Sequence, residues 1–439
     1  MRYFLISLLT SLLVFTACGK KSVSSEVTTS STSARTSDAY DGDVFPSIMP
    51  SSVMSDAAES VGAASTTISI MPVPSEEPVI MPIPPEPREM QSGILTAADI
   101  DDNLNLTYFQ KYVNKLLQST GESTFPFMRT KDRVKLTIEG ANRRGMNRVR
   151  VKIGNFTGYT NSQGVLYIFP TVDKIPTQTT IEINGKSKPI NLSSKKEFTI
   201  AFGTNQELPK SLDLMFVVDT TGSMGDEMRY LTKEFDAIVS NVEKKHPNVD
   251  IRFGLTLYRD KGDDYIVRDF DFTADKNKMK KQLEKQSANG GGDYPEAMDE
   301  GIEKALEASW KAKDGVRMMF VVADAPPHDE KIKQMVPIIE KARAMGIHIY
   351  PLGASGVAEK AEYLMRHLAL FTQGRYLWLT DDSGVGNSHE EPKVSCYQVT
   401  RLDQLISRVI QSELSGKRIE ADKASIIRTV GQYDQGLCQ

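Results

Sequence analysis

Three short segments gather oxygen-bearing side chains at points where a buried backbone run ends. The first is Asp219-Thr220-Thr221-Gly222-Ser223, directly after the apolar run Leu212–Val218, which only Asp213 interrupts. Alternate residues on such a turn face one way, so Asp219, Thr221 and Ser223 are expected to converge. The second is Gly290-Gly291-Gly292-Asp293, ahead of a helix expected to begin near Pro295. The third is Ala323-Asp324, after a strand expected over Val316–Val322. Two hydroxyls and three carboxylates form a donor set for a hard divalent cation. Mg²⁺ is the expected ion, with Mn²⁺ and Ca²⁺ left open because oxygen ligands alone do not choose. Without a cation the carboxylates repel one another. The candidate metal ligands are therefore Asp219, Thr221, Ser223, Asp293 and Asp324. Three carboxylates against a doubly charged ion leave the site net negative, which weakens the pull on any incoming carboxylate.

A competing reading makes Asp219 a helix cap, with Thr221 and Ser223 satisfying backbone amides. His328, four residues past Asp324, is read as solvent-facing. Asp260 and Glu296 are placed near the site as candidates for contacts behind the ligands. The glycine run lacks both GxxxxGK[ST] and GxGxxG, so it is read as letting backbone pass close to a metal rather than cradling a nucleotide. No HExxH motif, zinc-type Cys/His spacing or Ser/His/Asp nucleophile arrangement is legible. An Asp at the end of a buried strand resembles the nucleophile of haloacid dehalogenase-like phosphatases. Thr221 stands where that family has its second Asp, so a metal-dependent phosphohydrolase is only an alternative.

The elements that must position these loops alternate. Apolar runs at Leu212–Val218, Ile251–Tyr258, Arg317–Ala323, Ile347–Leu352 and Arg375–Leu379 read as strands buried on both faces. Helical stripes separate them: Met224, Met228, Leu231, Phe235, Ile238, Val239 and Val242; Ile332, Met335, Val336, Ile339 and Ala342; then Leu402, Leu405, Ile406, Val409 and Ile410. Strand–helix alternation predicts an α/β fold, a doubly wound, Rossmann-like open sheet that binds ligands at the carboxyl ends of its strands. Before it, Leu106, Phe109, Val113, Leu116 and Leu117 mark a helix behind the start signals Asp101, Asp102 and Asn103. From Val134 the period drops to two, through Val149–Ile153, Val165–Phe169, Ile181–Ile183 and Phe198–Ile200. That predicts a small antiparallel β-sandwich. The stretch Val134–Phe169 resembles Ig-like or transthyretin-like modules.

With 439 residues, 40% hydrophobic and 25% charged, the chain is long enough for two domains and additional unfolded sequence. A net charge of −4 argues against nucleic-acid binding, and the lysines between Lys276 and Lys285 read as a solvated helix face. Arg2 and the apolar core Phe4–Phe15 read as an export signal too short to span a bilayer. The following Thr16-Ala17-Cys18 resembles the lipobox of bacterial lipoproteins. That resemblance implies a lipid on Cys18 and a cell-envelope location, and Gly19 favours the outer membrane over the inner. Residues 18–93, rich in Ser and Thr and then in Pro, read as a disordered tether. The two remaining cysteines, Cys396 and Cys438, are expected to pair in an oxidising compartment.

The metal-ligand pattern has a family likeness. Asp219-x-Thr221-x-Ser223 is similar to the metal-ion-dependent adhesion site (MIDAS) signature of von Willebrand factor A (VWA) domains. Tyr258-Arg259-Asp260, Gly291 to Glu296, Ala323 to His328 and Thr380 to Gly384 resemble a bacterial subgroup. Asp324 matches the third-loop Asp of that site, and Asp293 stands where a Thr is usual. The resemblance implies binding rather than turnover, with a protein partner's Asp or Glu carboxylate at the metal. The expected organisation is a signal over 1–17, tether over 18–93, helix and sandwich over 94–205, VWA domain over 211–415 and disulfide-tied tail over 416–439. A metal-stabilised structural scaffold of the envelope is the main alternative function.

Overall fold

The apolar run that ends at Asp219 forms an interior strand of the main sheet, paired in parallel on both sides. The computed structural model describes residues 93–120, 128–204, 207–311, 315–384, 389 and 391–439. The expected signal, the expected lipidation site Cys18 and nearly all of the expected tether fall outside them. Among the described residues the main sheet has nine strands, in the order β11-β10-β9-β12-β13-β14-β1-β15-β16. In chain order these are β1 (Thr96–Ile100), β9 (Ser211–Asp219), β10 (Asp250–Tyr258), β11 (Val267–Thr273), β12 (Gly315–Ala323), β13 (His348–Gly353), β14 (Tyr376–Thr380), β15 (Tyr397–Arg401) and β16 (Arg428–Val430). Strands β10, β9, β12, β13 and β14 run parallel, so their carboxyl ends share one edge.

Alternation along β9 explains why the run is apolar at every position from Leu212 to Val218 except Asp213. Met215 and Val217 enter one core, while Leu212, Leu214 and Val218 enter the core on the opposite face. Helices cover both faces, as expected of a parallel sheet. One face carries α2 (Gly225–Lys245), α3 (Lys276–Glu284) and α7 (Leu402–Ser415). The other carries α1 (Leu106–Thr120), α4 (Met298–Leu306), α5 (Met335–Met345) and α6 (Glu359–Thr372). The lysine-rich α3 is indeed a solvated face, with Lys276 and Lys280 paired to Glu243 and Asp236 of α2.

The small sandwich comprises β2 (Val134–Glu139), β3 (Arg150–Ile153), β4 (Phe156–Tyr159), β5 (Val165–Ile168), β6 (Gln178–Ile183), β7 (Lys186–Asn191) and β8 (Glu197–Ala201). Its two sheets are ordered β5-β2-β8 and β4-β3-β6-β7 around a core that includes Leu136, Ile138, Val151 and Ile181. It is not wholly antiparallel: β8 runs parallel to β2, with Leu136 opposite Phe198. Period-two patterning marks which face is buried but not which direction a neighbour runs. The sandwich is anchored on the helices below it. The Gln373 amide donates to the Tyr159 carbonyl at 2.8 Å, and Arg343 pairs with Asp173.

Residues 94–120, expected to belong with the sandwich, belong instead to the main sheet. β1 pairs antiparallel with β14 along Thr96–Ile100 and with β15 at Thr96 and Ala97, and α1 packs in the main core. The sandwich is thus an insertion between β1 and β9. Strand β1 escaped detection because it is short and carries Asp99 in its middle. That carboxylate is buried against Arg375 (3.1 Å) and Arg408 (2.9 Å). Burial alone would raise its pKa, but Arg408, Arg375 and Arg418 outweigh burial and hold it at about 2. The tail is likewise part of the fold: β16 pairs with β15, and the expected Cys396–Cys438 disulfide is present. No helix among the described residues is long and apolar enough to cross a membrane.

Asp99→Ala leaves Arg375 buried without its paired carboxylate and Arg408 with only its 3.7 Å contact to Glu420. Removing one member of a buried ion pair costs about 3–5 kcal/mol. A matching loss of unfolding free energy in urea, seen for the main sheet, is the expected result.

Candidate metal centre

Asp219 is the last residue of β9, and Asp324 directly follows the neighbouring parallel strand β12. The sheet therefore delivers both carboxylates to the same edge. Asp219 is fully buried and Asp324 is 4% exposed. The Asp219 Oδ1 atom accepts from the Thr221 amide at 2.9 Å and from the Thr221 hydroxyl at 2.7 Å. Thr221 Oγ1 in turn lies 3.4 Å from Ser223 Oγ. The expected convergence of Asp219, Thr221 and Ser223 is thus seen. Of the capping reading, Asp219 does accept a backbone amide, that of Thr221, whereas neither Thr221, ahead of the short turn at Gly222–Met224, nor Met224, ahead of α2, makes a side-chain cap.

The other oxygens are short of partners. Asp219 Oδ2 and Asp324 Oδ1 are buried without a hydrogen bond. Burial first, and the Asp324 charge second, push the Asp219 carboxyl up to about 7. Asp324 is raised as well, chiefly by burial and then by Glu227, while the Ser223 hydroxyl pulls it back. Two buried carboxylates that resist ionising together, flanked by two hydroxyls, are what a divalent cation would relieve. Asp219, Thr221, Ser223 and Asp324 fit that ion.

Asp293 does not join them. It is exposed on the crest of the second loop, and the carboxylate that turns inward is Glu296. The cause is local. α4 begins at Met298 rather than near Pro295, and the Glu296 amide donates to Pro326 O at 2.9 Å. That bridge draws residue 296 against the third loop. Glu296 is pushed up to about 9 by burial first, then by Asp219, Asp260, Asp324 and Asp263. Gly291, at φ +74°, passes so close that an added Cβ would sit 2.9 Å from Glu296 Oε1 and 3.3 Å from the Thr221 Cβ. The second loop is also tied to the first, since Gly222 N donates to Gly290 O at 3.1 Å. Among the described residues no group of three or more His, Cys, Asp or Glu side chains stands in metal-holding geometry. The oxygens that could hold a cation come from two carboxylates and two hydroxyls.

The surrounding residues fix this edge. His328 is partly buried and pairs with Asp260, Nε2 to Oδ1 at 2.6 Å, so it is not solvent-facing. Asp263 accepts from the Asp260 and Gly291 amides at 3.1 and 2.9 Å. The Tyr294 hydroxyl donates to Asp324 O at 3.0 Å and accepts from Ala358 N at 2.8 Å, joining the second loop to the ends of β12 and β13. A further polar chain, unforeseen in the sequence, links Glu227, Ser355, His389 and Asp381.

Comparison with known proteins bears on the domain that carries this edge. Residues 213–380 match the model of the von Willebrand factor A domain. This segment is a VWA domain. The chain is 22% identical over 206 residues to alpha-protein kinase vwkA of Dictyostelium discoideum, covering 46% of this chain and 32% of the relative. It is 29% identical over 143 residues to von Willebrand factor A domain-containing protein 7 of Mus musculus, covering 33% of this chain and 15% of the relative. The matched part therefore spans a third or less of those relatives' length. Among solved structures, protein BatB from Bacteroides thetaiotaomicron aligns over 46% of this chain and 99% of its own, at 14% identity and a TM-score of 0.33. VWA domains are typically protein-interaction or adhesion modules.

A pH dependence follows for the VWA domain without cation. The folded-state pKa of Asp219, about 7, lies above its ordinary 3.8. Between those values the folded state holds a proton that the unfolded state has lost, so stability falls as pH rises through that window. In EDTA the melting temperature is expected to decline from about pH 4 to pH 7 more steeply than in Asp219→Asn, which has no such proton to lose.

Proposed function

We propose that this chain is a lipid-anchored, divalent-cation-dependent protein-binding module of the bacterial cell envelope. The observation that carries the reading is the buried Asp219–Asp324 pair, each with an unpartnered oxygen, beside Thr221 and Ser223. These four residues would hold Mg²⁺, with Mn²⁺ or Ca²⁺ as the other ions of suitable chemistry. Bound there, the cation supplies a Lewis-acidic position that a partner's Asp or Glu carboxylate can fill. The chain's own part is to exclude water from Asp219 and Asp324 while leaving Ser223 exposed at the mouth.

Replacing Asp293 by Glu296 near the ligands changes the expected charge balance. Without a cation, burial and then the charges of Asp219, Asp260 and Asp324 hold the Glu296 carboxyl up at about 9. With Asp293 out on the surface, a doubly charged ion faces two ligand carboxylates, Asp219 and Asp324, rather than three, and its pull on another, from a partner, is retained. Lipidation of Cys18 and a stalk over residues 18–93 would hold the VWA domain away from the membrane, the outer membrane in a two-membrane cell. The net charge of −4 agrees with recognition of protein rather than nucleic acid.

Melting of the full chain in EDTA, Mg²⁺, Mn²⁺ and Ca²⁺, beside Asp219→Ala, tests the reading. A ligand bound only to the native state adds about 2.7 kcal/mol at a hundredfold excess over Kd. A rise of several degrees with one of the ions, absent in Asp219→Ala, is expected. No shift with any ion would remove cation-dependent binding.

A further inference from the structure

A second constellation sits one strand away from the cation ligands, at the carboxyl ends of β13 and β14. Ser355 Oγ lies 3.1 Å from His389 Nε2, and His389 Nδ1 lies 2.7 Å from Asp381 Oδ1. The same Asp381 oxygen accepts from the His389 backbone amide at 2.9 Å, which fixes the ring against the carboxylate. A carboxylate on Nδ1 holds the proton there and turns the bare Nε2 toward the serine, the arrangement that makes a hydroxyl nucleophilic. We propose that Ser355, His389 and Asp381 form a serine-nucleophile site that hydrolyses neutral carboxylic esters.

The backbone around Ser355 supports this assignment. The parallel strand β13 ends at Gly353, and Ala354-Ser355-Gly356 turns the chain toward α6, which begins at Glu359. A serine on a sharp strand-to-helix turn at the carboxyl edge of a parallel sheet is presented outward, with the following helix start beside it. Both glycines are needed. An added Cβ on Gly353 would sit 2.7 Å from the Tyr376 hydroxyl, and Gly356 adopts φ +86°. The next strand, β14, ends at Thr380, so Asp381 is delivered to the same edge. Ser355 is half-buried and Gly356 exposed, whereas His389 is buried. That combination leaves the nucleophile reachable and the base shielded from water. The first turn of α6 has no side-chain cap, so its amides are the donors nearest in sequence for an oxyanion on the attacked carbonyl.

Glu227 borders the same hydroxyl. Its Oε1 accepts from Ser355 and lies 4.0 Å from His389 Nε2, and its other oxygen is buried without a partner. An imidazolium formed at His389 would therefore stand between two carboxylates, which stabilises it. Glu227 also raises the pKa of Asp324 through its charge, so the two sites adjoin. These acids exclude phosphate esters and other anionic substrates. In the reaction, the Ser355 hydroxyl turns its proton from Glu227 to His389 Nε2, 3.1 Å away, Oγ attacks the ester carbonyl and the proton passes to Nε2. The adduct collapses, the carbon–oxygen bond to the alcohol breaks, and the alcohol leaves with that proton. Water then repeats the sequence on the acyl-serine, releasing the acid and restoring the hydroxyl. One ester and one water give one acid and one alcohol.

The test treats the full chain with a fluorophosphonate probe and with 4-nitrophenyl acetate. The probe is expected on the peptide carrying Ser355, with fluoride displaced, together with turnover of the ester. Both should vanish in Ser355→Ala, and in His389→Ala fall on the order of 100-fold or more. Ser355→Ala removes one oxygen and keeps the fold, so its cation-dependent melting should match the parent chain; this separates loss of the nucleophile from loss of the VWA site. A parent chain that melts cooperatively yet takes up no probe, or that is labelled equally in Ser355→Ala, would overturn the proposal.

Discussion

Two carboxylates that end adjacent parallel strands cannot both be charged in a dry edge without help. Asp219 and Asp324 are in that position, and each keeps a buried oxygen with no hydrogen bond. Much of the neighbouring structure is arranged around that constraint. Thr221 spends its amide and hydroxyl on one Asp219 oxygen, and the Ser223 hydroxyl restrains Asp324. Gly291 has no side chain because Thr221 and Glu296 occupy the space a Cβ would need. The edge is electrostatically expensive, and such sites persist where a bound ion or a reaction uses the stored repulsion.

The rest of the fold supplies the rigidity that keeps the pair together. Five parallel strands with apolar residues on both faces leave the carboxyl ends in one row. β1 extends the sheet through a buried carboxylate clasped by Arg375 and Arg408, and the disulfide binds the tail to β15. Tyr294 and the Glu296–Pro327 bridge then lock the second loop to the third. Along that same row, Ser355 and Asp381 follow β13 and β14, so one topological device places two chemically distinct sets of side chains side by side.

The sheet and the first ligand loop were legible because their signals are local. Continuous apolar runs such as Leu212–Val218 announce doubly buried strands, and Asp219-x-Thr221-x-Ser223 needs only a turn to converge. Asp324 was legible for the same reason, being the first polar residue after β12. What escaped depends on contacts distant in sequence. β1 carries a buried Asp99 whose partners lie 276 and 309 residues away, so no alternation reveals it. The choice between Asp293 and Glu296 rests on a backbone bond to Pro326, which no spacing encodes. The chain Ser355–His389–Asp381 is invisible as a motif because His389 reaches back 34 residues to Ser355 through the fold alone. The parallel pairing of β2 with β8 is a matter of topology, which the sandwich's alternating pattern does not specify.

In the proposed site a cation replaces a proton between Asp219 and Asp324. Titration calorimetry of Mg²⁺ into the EDTA-treated full chain, repeated near pH 6 in buffers of different ionisation heat, measures this directly. With the Asp219 carboxyl held up at about 7, one site per chain and release of roughly one proton per bound ion are expected, both lost in Asp219→Asn. Binding that releases no proton and survives Asp219→Asn would contradict it, as would the absence of any binding heat with Mg²⁺, Mn²⁺ or Ca²⁺.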